Sequence, residues 1–225
     1  MELLKRVLTA VVLIPLVLLL ILRAPVAVLA FVAGVVALAA IHELLKISES
    51  YSIQPLRVPT YIFSGLFFVA IAIHAGSTDL LSTSAFTYLA FSAAVISPFV
   101  FLAIAMTRNN LKSAFPAALV ASFAFVYVAL PMASLVQLRE QWRGSFLLLY
   151  LLLLVWAGDI FAYFIGKPFG RHRMSPRVSP NKTWEGTVAS VIASVSVGVL
   201  MFHYAQPISS ALMHAHLIER QDCVF

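Results

Sequence analysis

Residues 158–186 read GDIFAYFIGKPFGRHRMSPRVSPNKTWEG and connect the last two long apolar runs of the chain. This stretch begins with one acid, Asp159, and ends with another, Glu185. Between the two acids lie five of the fifteen Lys and Arg residues of the protein, namely Lys167, Arg171, Arg173, Arg177 and Lys182. The sequence therefore concentrates its charge at one point between two apolar segments.

The composition excludes an ordinary soluble globular protein, because 62% of the residues are hydrophobic and only 11% are charged. Apolar runs of about 20 residues recur between short charged segments, which is typical of membrane-spanning helices. The runs lack the alternation of a membrane β-barrel. We therefore predict an all-α, polytopic integral membrane protein. The net charge of +6 indicates topology and anionic headgroups rather than nucleic acid as a partner.

The apolar runs predict about seven transmembrane helices, over 7–22, 26–41, 59–74, 85–106, 114–137, 145–165 and 184–205. The first two are short for a full crossing and turn at Arg23-Ala24-Pro25, so we expect an N-terminal hairpin. Pro131 predicts a kink in the fifth run, because proline removes a helix hydrogen bond and its ring clashes with the preceding turn.

The distribution of positive charge predicts the orientation in the membrane. With a cytoplasmic N-terminus, eleven Lys and Arg residues lie in inside segments and four in outside segments. The inside residues are Lys5, Arg6, Lys46, Arg57, Arg108, Lys112, Lys167, Arg171, Arg173, Arg177 and Lys182, and the outside ones are Arg23, Arg139, Arg143 and Arg220. We therefore expect the N-terminus and the 166–183 loop to be cytoplasmic.

Asp159 is a candidate functional residue, because a carboxylate within a membrane span is costly. We expect it to lie among helices or beside a wet cavity, where it is paired or bound to a metal. Tyr163 and Gly166 would share its helix face. The alternative is a structural ion pair with a neighbouring Lys or Arg.

The segment Ser179-Pro180-Asn181-Lys182 is interpreted as a helix start, with serine as the cap and proline in the first turn. Free amides and the helix dipole would favour phosphate there, and Lys182 would add a full charge. Glu185, three residues after Lys182, would share its helix face. The alternative is a capped helix with a solvated ion pair, but the nearby basic loop and Asp159 favour polyphosphate binding.

The GxxxG spacing of Gly166 and Gly170 is a weaker signal. These glycines flank a charged loop rather than the middle of a span, so we do not expect a dimerisation face there.

The order Asp159, AYFIGKPFG (162–170) and SPNKTWEG (179–186) resembles the phosphatidate cytidylyltransferase (CDP-diglyceride synthase) family. The resemblance implies an integral membrane enzyme of phospholipid biosynthesis in a bacterial-type inner or plasma membrane. Such an enzyme joins CTP to phosphatidate and gives CDP-diacylglycerol and pyrophosphate, with Mg²⁺ as cofactor. A homodimer is possible.

The resemblance also implies roles for individual residues of this sequence. The catalytic residues would be Asp159, Lys182 and Glu185, and the metal ligands Asp159 and Glu185. The substrate-binding residues would be Lys167, Arg171, Ser179, Asn181, Lys182 and Thr183.

One departure concerns the family's C-terminal motif, a serine followed by Lys-Arg, Lys-Asp, Pro-Gly-His-Gly-Gly and Asp-Arg-x-Asp, which as a whole supplies metal-binding aspartates. None of it occurs before Phe225, so we expect a truncated member that binds CTP weakly and forms no product. We expect a single membrane domain over 1–225, with N-terminal helices over 1–138, the start of the catalytic region over 145–205 and a tail unlike the family over 206–225. The other functions considered are a non-catalytic relative that binds acidic lipid or nucleotide, and a small-anion transporter.

The predicted orientation can be tested with topology reporters. A reporter fused at Arg173 should be active in the cytoplasm, and one fused after Arg220 should be active on the opposite side, because an odd number of spans separates the two ends. Activity of both reporters on the same side of the membrane would contradict this span count.

Overall fold

The computed structural model describes residues 2–74, 81–108, 111–177, 179–219 and 223. Val178 of the predicted loop and Arg220 of the predicted outside set lie outside these residues. The helices are α1 (Glu2–Arg23), α2 (Val26–Ser50), α3 (Arg57–His74), α4 (Leu81–Met106), α5 (Leu111–Ala124), a π-helix (Phe125–Ala129), α6 (Leu130–Glu140), α7 (Gly144–Phe169), α8 (Trp184–His203) and α9 (Ala205–His214), and the strands are β1 (Arg173–Ser175) and β2 (Ser179–Thr183).

The predicted all-α, polytopic membrane fold is confirmed. In the described part of the chain, six helical stretches are long and apolar enough to cross a membrane, and a shorter apolar helix, Val11–Arg23, precedes them. The six are Val26–Ser50, Arg57–His74, Ser84–Met106, Lys112–Glu140, Gly144–Phe169 and Trp184–His203. Each predicted apolar run corresponds to one of these seven segments.

The second helix is longer than its apolar run, so the expectation of a short second segment was wrong. α2 has 25 residues rather than ending at Ile41. Its later turns bury Ile41, Leu45 and Ser48, which lie on one helical face. The exposed residues on the other side, such as Glu43, ended the apolar run without ending the helix.

A π-helix lies next to Pro131, where a kink was predicted, and the kink itself stays a prediction. The π-helical residues Phe125–Ala129 come immediately before the helix turn that contains Pro131. Here the N–H of Leu130 bonds to the carbonyl of Phe125, five residues earlier. Pro131 has no N–H to donate to the preceding turn. The wider π-helical turn lies where that hydrogen bond would be missing, and the span continues through it.

The chain divides into two compact units, one of Met1–Arg23 with Trp142–Phe225 and the other of Ala24–Gln141. The second unit contains a cluster of edge-to-face aromatic rings, in which Phe63 contacts Phe101 and Phe125 at centroid distances of 5.2 and 4.9 Å. In the first unit α1 packs on α7, and α9 joins a small core with Phe146 and Met201. The prediction of a single membrane domain stays a prediction.

The closest helix packing of the first unit joins α7 and α8 through small residues. A Cβ on Gly186 would lie 2.9 Å from the carbonyl oxygen of Ala162 and 3.1 Å from the Cα of Gly166. Further along, a Cβ on Gly158 would lie 2.6 Å from the Ser194 hydroxyl. The two helices therefore form an antiparallel hairpin whose backbones approach where side chains are small, as is usual for helices packed in membranes.

Gly186→Ala should destabilise the protein in detergent by about 1–3 kcal/mol, because the new methyl group meets backbone atoms that cannot rotate away. Gly65→Ala is the matched control, since nothing lies within 4 Å of a Cβ at that helical glycine. That change should be neutral or stabilising by up to about 1 kcal/mol through helix propensity. Thermal unfolding followed by circular dichroism measures both, and equal melting temperatures would contradict the close packing of α7 and α8.

Candidate functional site

The candidate site lies at the end of the α7–α8 hairpin, where a β-ribbon joins the two helices. β1 and β2 pair antiparallel, with Arg173 opposite Thr183 and Ser175 opposite Ser179. The Trp184 N–H donates to the carbonyl of His172 at 2.9 Å. The ribbon is therefore hydrogen-bonded up to the first residue of α8, which places the basic segment at this end of the hairpin.

The predicted helix start at Ser179-Pro180-Asn181-Lys182 was wrong, because these residues belong to β2. Their backbone pairs with β1 instead of turning into a helix. Proline is tolerated in such a two-stranded ribbon because both strands are edge strands. The helix begins five residues later than Ser179, at Trp184.

Thr183, rather than Ser179, caps α8. Its Oγ1 accepts a hydrogen bond from the N–H of Gly186 at 3.2 Å, and its backbone is extended, as is usual for a capping residue. The expectation that Lys182 and Glu185 share a helix face was also wrong, since Lys182 lies in the strand. The phosphate site predicted from free amides at Ser179 is therefore not formed there.

Glu185 binds His172 across the base of the ribbon. One carboxylate oxygen lies 2.7 Å from the Nδ1 of His172, and the backbone N–H of His172 donates to the same carboxylate at 3.2 and 3.3 Å. The Glu185 side chain is 28% exposed, whereas that of His172 is 79% exposed. Glu185 thus ties the chain leaving α7 to the first turn of α8.

Asp159 is exposed on α7, ten residues before the helix ends at Phe169. At 1.5 Å per residue it lies about 15 Å from that end, which is deeper than predicted because the helix extends past 165. Among the described residues it has no hydrogen-bond or ion-pair partner. The alternative of a structural ion pair is therefore not formed in this part of the chain, and the carboxylate is available to a ligand.

Tyr163 and Lys167 follow Asp159 at intervals of four residues and so lie along one side of α7. The Lys167 ammonium donates to the Tyr163 hydroxyl at 3.0 Å and lies 5.2 Å from the centre of its ring. This contact directs Lys167 back along the helix towards the level of Asp159. The exposed stripe therefore carries a carboxylate at one end and an ammonium at the other.

The other four cations of the segment, Arg171, Arg173, Arg177 and Lys182, are exposed on or beside the ribbon. Within the described ranges, none of these four side chains has a hydrogen bond or ion pair with another residue. Their charges are thus open to an external anion. Of the predicted substrate-binding residues, Ser179 and Asn181 also lie on β2, as Lys182 does.

The described side chains do not form a complete metal site. No group of three or more His, Cys, Asp or Glu residues converges within the part of the chain that the structure describes. Of the two predicted ligands, Asp159 is unpartnered among those residues, whereas Glu185 is engaged by His172. Mg²⁺ is usually held by one or two carboxylates together with substrate phosphates and water, so the residues fit this ion through Asp159.

Sequence reasoning missed two features of the site. His172 was overlooked because its partner, Glu185, is thirteen residues away. The packing of the hairpin was overlooked although its signal is present, since small residues recur every fourth position on both helices. They are Gly158, Ala162, Gly166 and Gly170 on the α7 side, and Gly186, Ser190, Ser194 and Gly198 on α8.

Residues 4–219 match the model of a protein family described as the cytidylyltransferase family. The chain belongs to this family. The match includes the hairpin, the ribbon and Asp159. No solved structure gives a significant match to this cytidylyltransferase-family chain.

Several curated members of the cytidylyltransferase family are similar to this chain, among them three proteins named phosphatidate cytidylyltransferase. The protein from Haemophilus influenzae is 41% identical over 66 residues, which is 29% of this chain and 23% of the relative. The Staphylococcus aureus protein is 29% identical over 182 residues, 79% of this chain and 64% of the relative. The Pseudomonas aeruginosa protein is 45% identical over 60 residues, 26% of this chain and 22% of the relative. The matches therefore span less than two thirds of these relatives.

Thr183→Ala should weaken the first turn of α8 in this cytidylyltransferase-family chain by about 1 kcal/mol, because the Gly186 N–H loses its acceptor. Thr183→Ser keeps the acceptor and should behave like the unaltered protein. Ser179→Ala is the matched control at the position first expected to cap the helix, and it should have little effect. Hydrogen exchange of the Gly186 amide measures the difference, and faster exchange in Ser179→Ala than in Thr183→Ala would contradict this helix start.

Proposed function

We propose that this chain carries substrate-binding residues for phosphatidate cytidylyl transfer, in which CTP and phosphatidate give CDP-diacylglycerol and pyrophosphate. Family membership and the names of the similar proteins support the reaction class. The observation that carries the proposal is the unpartnered Asp159 carboxylate on a membrane helix whose end bears the basic ribbon. A site for this reaction needs a carboxylate for a metal and cations for phosphates, at the place where a lipid and a soluble nucleotide meet.

The exposed cations would bind the phosphates of both substrates. Arg171 and Lys182 lie on or next to the ribbon, outside the apolar length of the hairpin, where soluble CTP can reach them. Arginine and lysine form strong charge-assisted hydrogen bonds to phosphate. Lys167 is held by Tyr163 on the side of α7, nearer to the apolar length of the hairpin, and would bind the phosphate of phosphatidate.

Mg²⁺ is the cofactor that this proposal requires. Asp159 would hold it with the substrate phosphates, and the ion when bound would neutralise charge on those phosphates. Glu185 has a different role in this arrangement, since it holds His172 and thereby orients the ribbon. Thr183 caps α8 through its hydroxyl, so it would position the start of the helix and the neighbouring Lys182.

In the attack itself, the part of the chain's own residues is to position two polyanions and to reduce their repulsion. The phosphatidate oxygen attacks the α-phosphorus of CTP, and pyrophosphate leaves with the pair of electrons from the broken P–O bond. The cations of the ribbon stabilise the charge that develops on the pyrophosphate. A cytoplasmic ribbon, as the charge distribution predicts, would face the compartment in which CTP is found. The possible homodimer stays a prediction.

The proposal is tested by labelled CTP added to the purified chain in vesicles that contain phosphatidate and Mg²⁺. We expect saturable CTP binding, weakened about tenfold or more in Lys182→Ala, because a hydrogen bond to a charged group is lost. Lys46→Ala removes an exposed cation from α2 and is the matched control, with unchanged affinity. Asp159→Asn should remove the Mg²⁺-dependent part of binding and any label that enters the lipid fraction.

Two results would contradict the proposal. One is the absence of saturable CTP binding in the unaltered chain. The other is equal affinity of Lys182→Ala and the unaltered chain, which would show that the ribbon does not contact the nucleotide.

A further inference from the structure

The two ring nitrogens of His172 have different environments. Nδ1 lies 2.7 Å from a carboxylate oxygen of Glu185, whereas no residue in the described ranges bonds to Nε2. The side chain of His172 is 79% exposed, so the ring is open to solvent beyond its contact with Glu185. The imidazole therefore has one nitrogen held by the protein and one available to a ligand.

Glu185 determines which nitrogen of the neutral ring carries the proton. A carboxylate accepts hydrogen bonds, so Nδ1 must donate to it. The backbone N–H of His172 donates to the same carboxylate at 3.2 and 3.3 Å, which fixes the ring from two points. Because a neutral imidazole has a single N–H, its Nε2 is then a hydrogen-bond acceptor. The side chains of Arg171, Arg173 and Lys182 contain only donors, so this acceptor differs from the charged groups around it.

This acceptor lies beside the cations to which we assigned the phosphates of CTP. Arg171 and Arg173 flank His172 in the sequence, and two residues span at most about 7 Å of extended chain. Arg173 lies opposite Thr183 in the ribbon, and Thr183 directly follows Lys182. A nucleotide whose phosphates bind these cations would therefore have its ribose and base near His172.

The chemistry of the two substrates shows which of them is complementary to the Nε2 of His172. Ionised phosphates and the acyl esters of phosphatidate contain only hydrogen-bond acceptors, so they cannot donate to this nitrogen. The nucleoside of CTP has donors, namely the 4-amino group of cytosine and the ribose hydroxyls. Of the two substrates, only the nucleotide can therefore form this bond.

We propose that the Nε2 of His172 accepts a hydrogen bond from the nucleoside of CTP and thereby contributes to nucleotide selectivity. The inference rests on the proposed binding of CTP at the ribbon. Glu185 is a positioning residue in this arrangement, because it acts on the nucleotide only through His172. A bond from the 4-amino group would select cytosine over uracil, and a bond from a ribose hydroxyl would select ribose over deoxyribose.

The test compares four nucleotides on the full 225-residue chain in phosphatidylcholine vesicles with Mg²⁺. It is done at about pH 8, where histidine rings are generally neutral. The dissociation constants of CTP, UTP, 2′-deoxy-CTP and 3′-deoxy-CTP are measured by equilibrium binding. UTP has a carbonyl in place of the 4-amino group, and each deoxy analogue lacks one hydroxyl. We expect CTP to bind about two- to tenfold more tightly than the analogue that lacks the donor, as for the loss of an ordinary hydrogen bond.

His172→Asn removes Nε2 but keeps a donor for Glu185, because the amide nitrogen of asparagine is attached at the same distance from the backbone as Nδ1. This variant should weaken CTP binding by about two- to tenfold and leave the affinity for the analogue that lacks the donor unchanged. His74→Asn is the matched control, since His74 is also exposed and its Nδ1 bonds to the carbonyl of Ala70 at 2.8 Å. The control should change none of the four affinities.

Three results would overturn the inference. The first is equal affinity of the unaltered chain for all four nucleotides, a comparison that holds even if His172→Asn does not fold. The second is unchanged CTP affinity in His172→Asn. The third is an equal loss of affinity for all four nucleotides in that variant, which would indicate a phosphate contact or a disturbed ribbon.

The affinity of Lys182→Ala separates this inference from the proposed function. If CTP binds saturably and Lys182→Ala weakens it, any of these three results overturns the role of His172 alone. If the unaltered chain does not bind CTP, the proposed function and the role of His172 are both wrong.

Discussion

The close approach of α7 and α8 is the constraint on which the candidate site depends. In a bilayer, apolar side chains gain little by leaving lipid for another helix, so association relies on tight packing and hydrogen bonds. Gly186 against Ala162 and Gly166, and Gly158 against Ser194, provide that packing. Ser194 adds a hydrogen bond to the carbonyl of Leu154 at 2.9 Å. Because the helices are joined so closely, the ribbon can span their ends and Glu185 can reach His172.

Charge is placed differently in the two parts of the hairpin. The cations of the ribbon lie at its end, where water lowers the cost of an exposed charge. Asp159 lies about 15 Å along the helix from Phe169, and an unpaired carboxylate at such a position is costly unless water, a cation or a substrate compensates it. The contact of Lys167 with Tyr163 extends positive charge from the ribbon along α7 in the direction of Asp159. This gradient suits the proposed reaction between a lipid phosphate and a soluble nucleotide.

Polar groups in the unit Ala24–Gln141 are for the most part satisfied within their own helices. The hydroxyl of Thr60 donates to the carbonyl of Leu56, and that of Ser122 to Ala118, one turn earlier in each case. Such bonds let small hydroxyl side chains lie in a membrane helix at little cost. Gln137 has a longer side chain with two polar atoms, and neither atom forms a hydrogen bond of this kind.

The sequence by itself determined the class of fold and most of the spans. Lipid leaves backbone amides no partners, so long apolar runs must be helical whatever lies around them. It also determined that charge collects between Asp159 and Glu185, and that Pro131 interrupts regular helix bonding, since both follow from local composition.

Only the tertiary structure decided the details of the site. Ser179–Thr183 is a strand because β1 supplies backbone partners, and local capping signals cannot reveal a partner elsewhere in the chain. Asp159 is exposed because the side of α7 that contacts α8 is formed by small residues, including Gly158. Asp159 lies on another side of the helix. The continuation of α2 past Ile41 depends on burial of Leu45 and Ser48 against neighbouring helices. In each case the deciding interaction joins residues distant in sequence, and hydropathy and local propensity report only on neighbours.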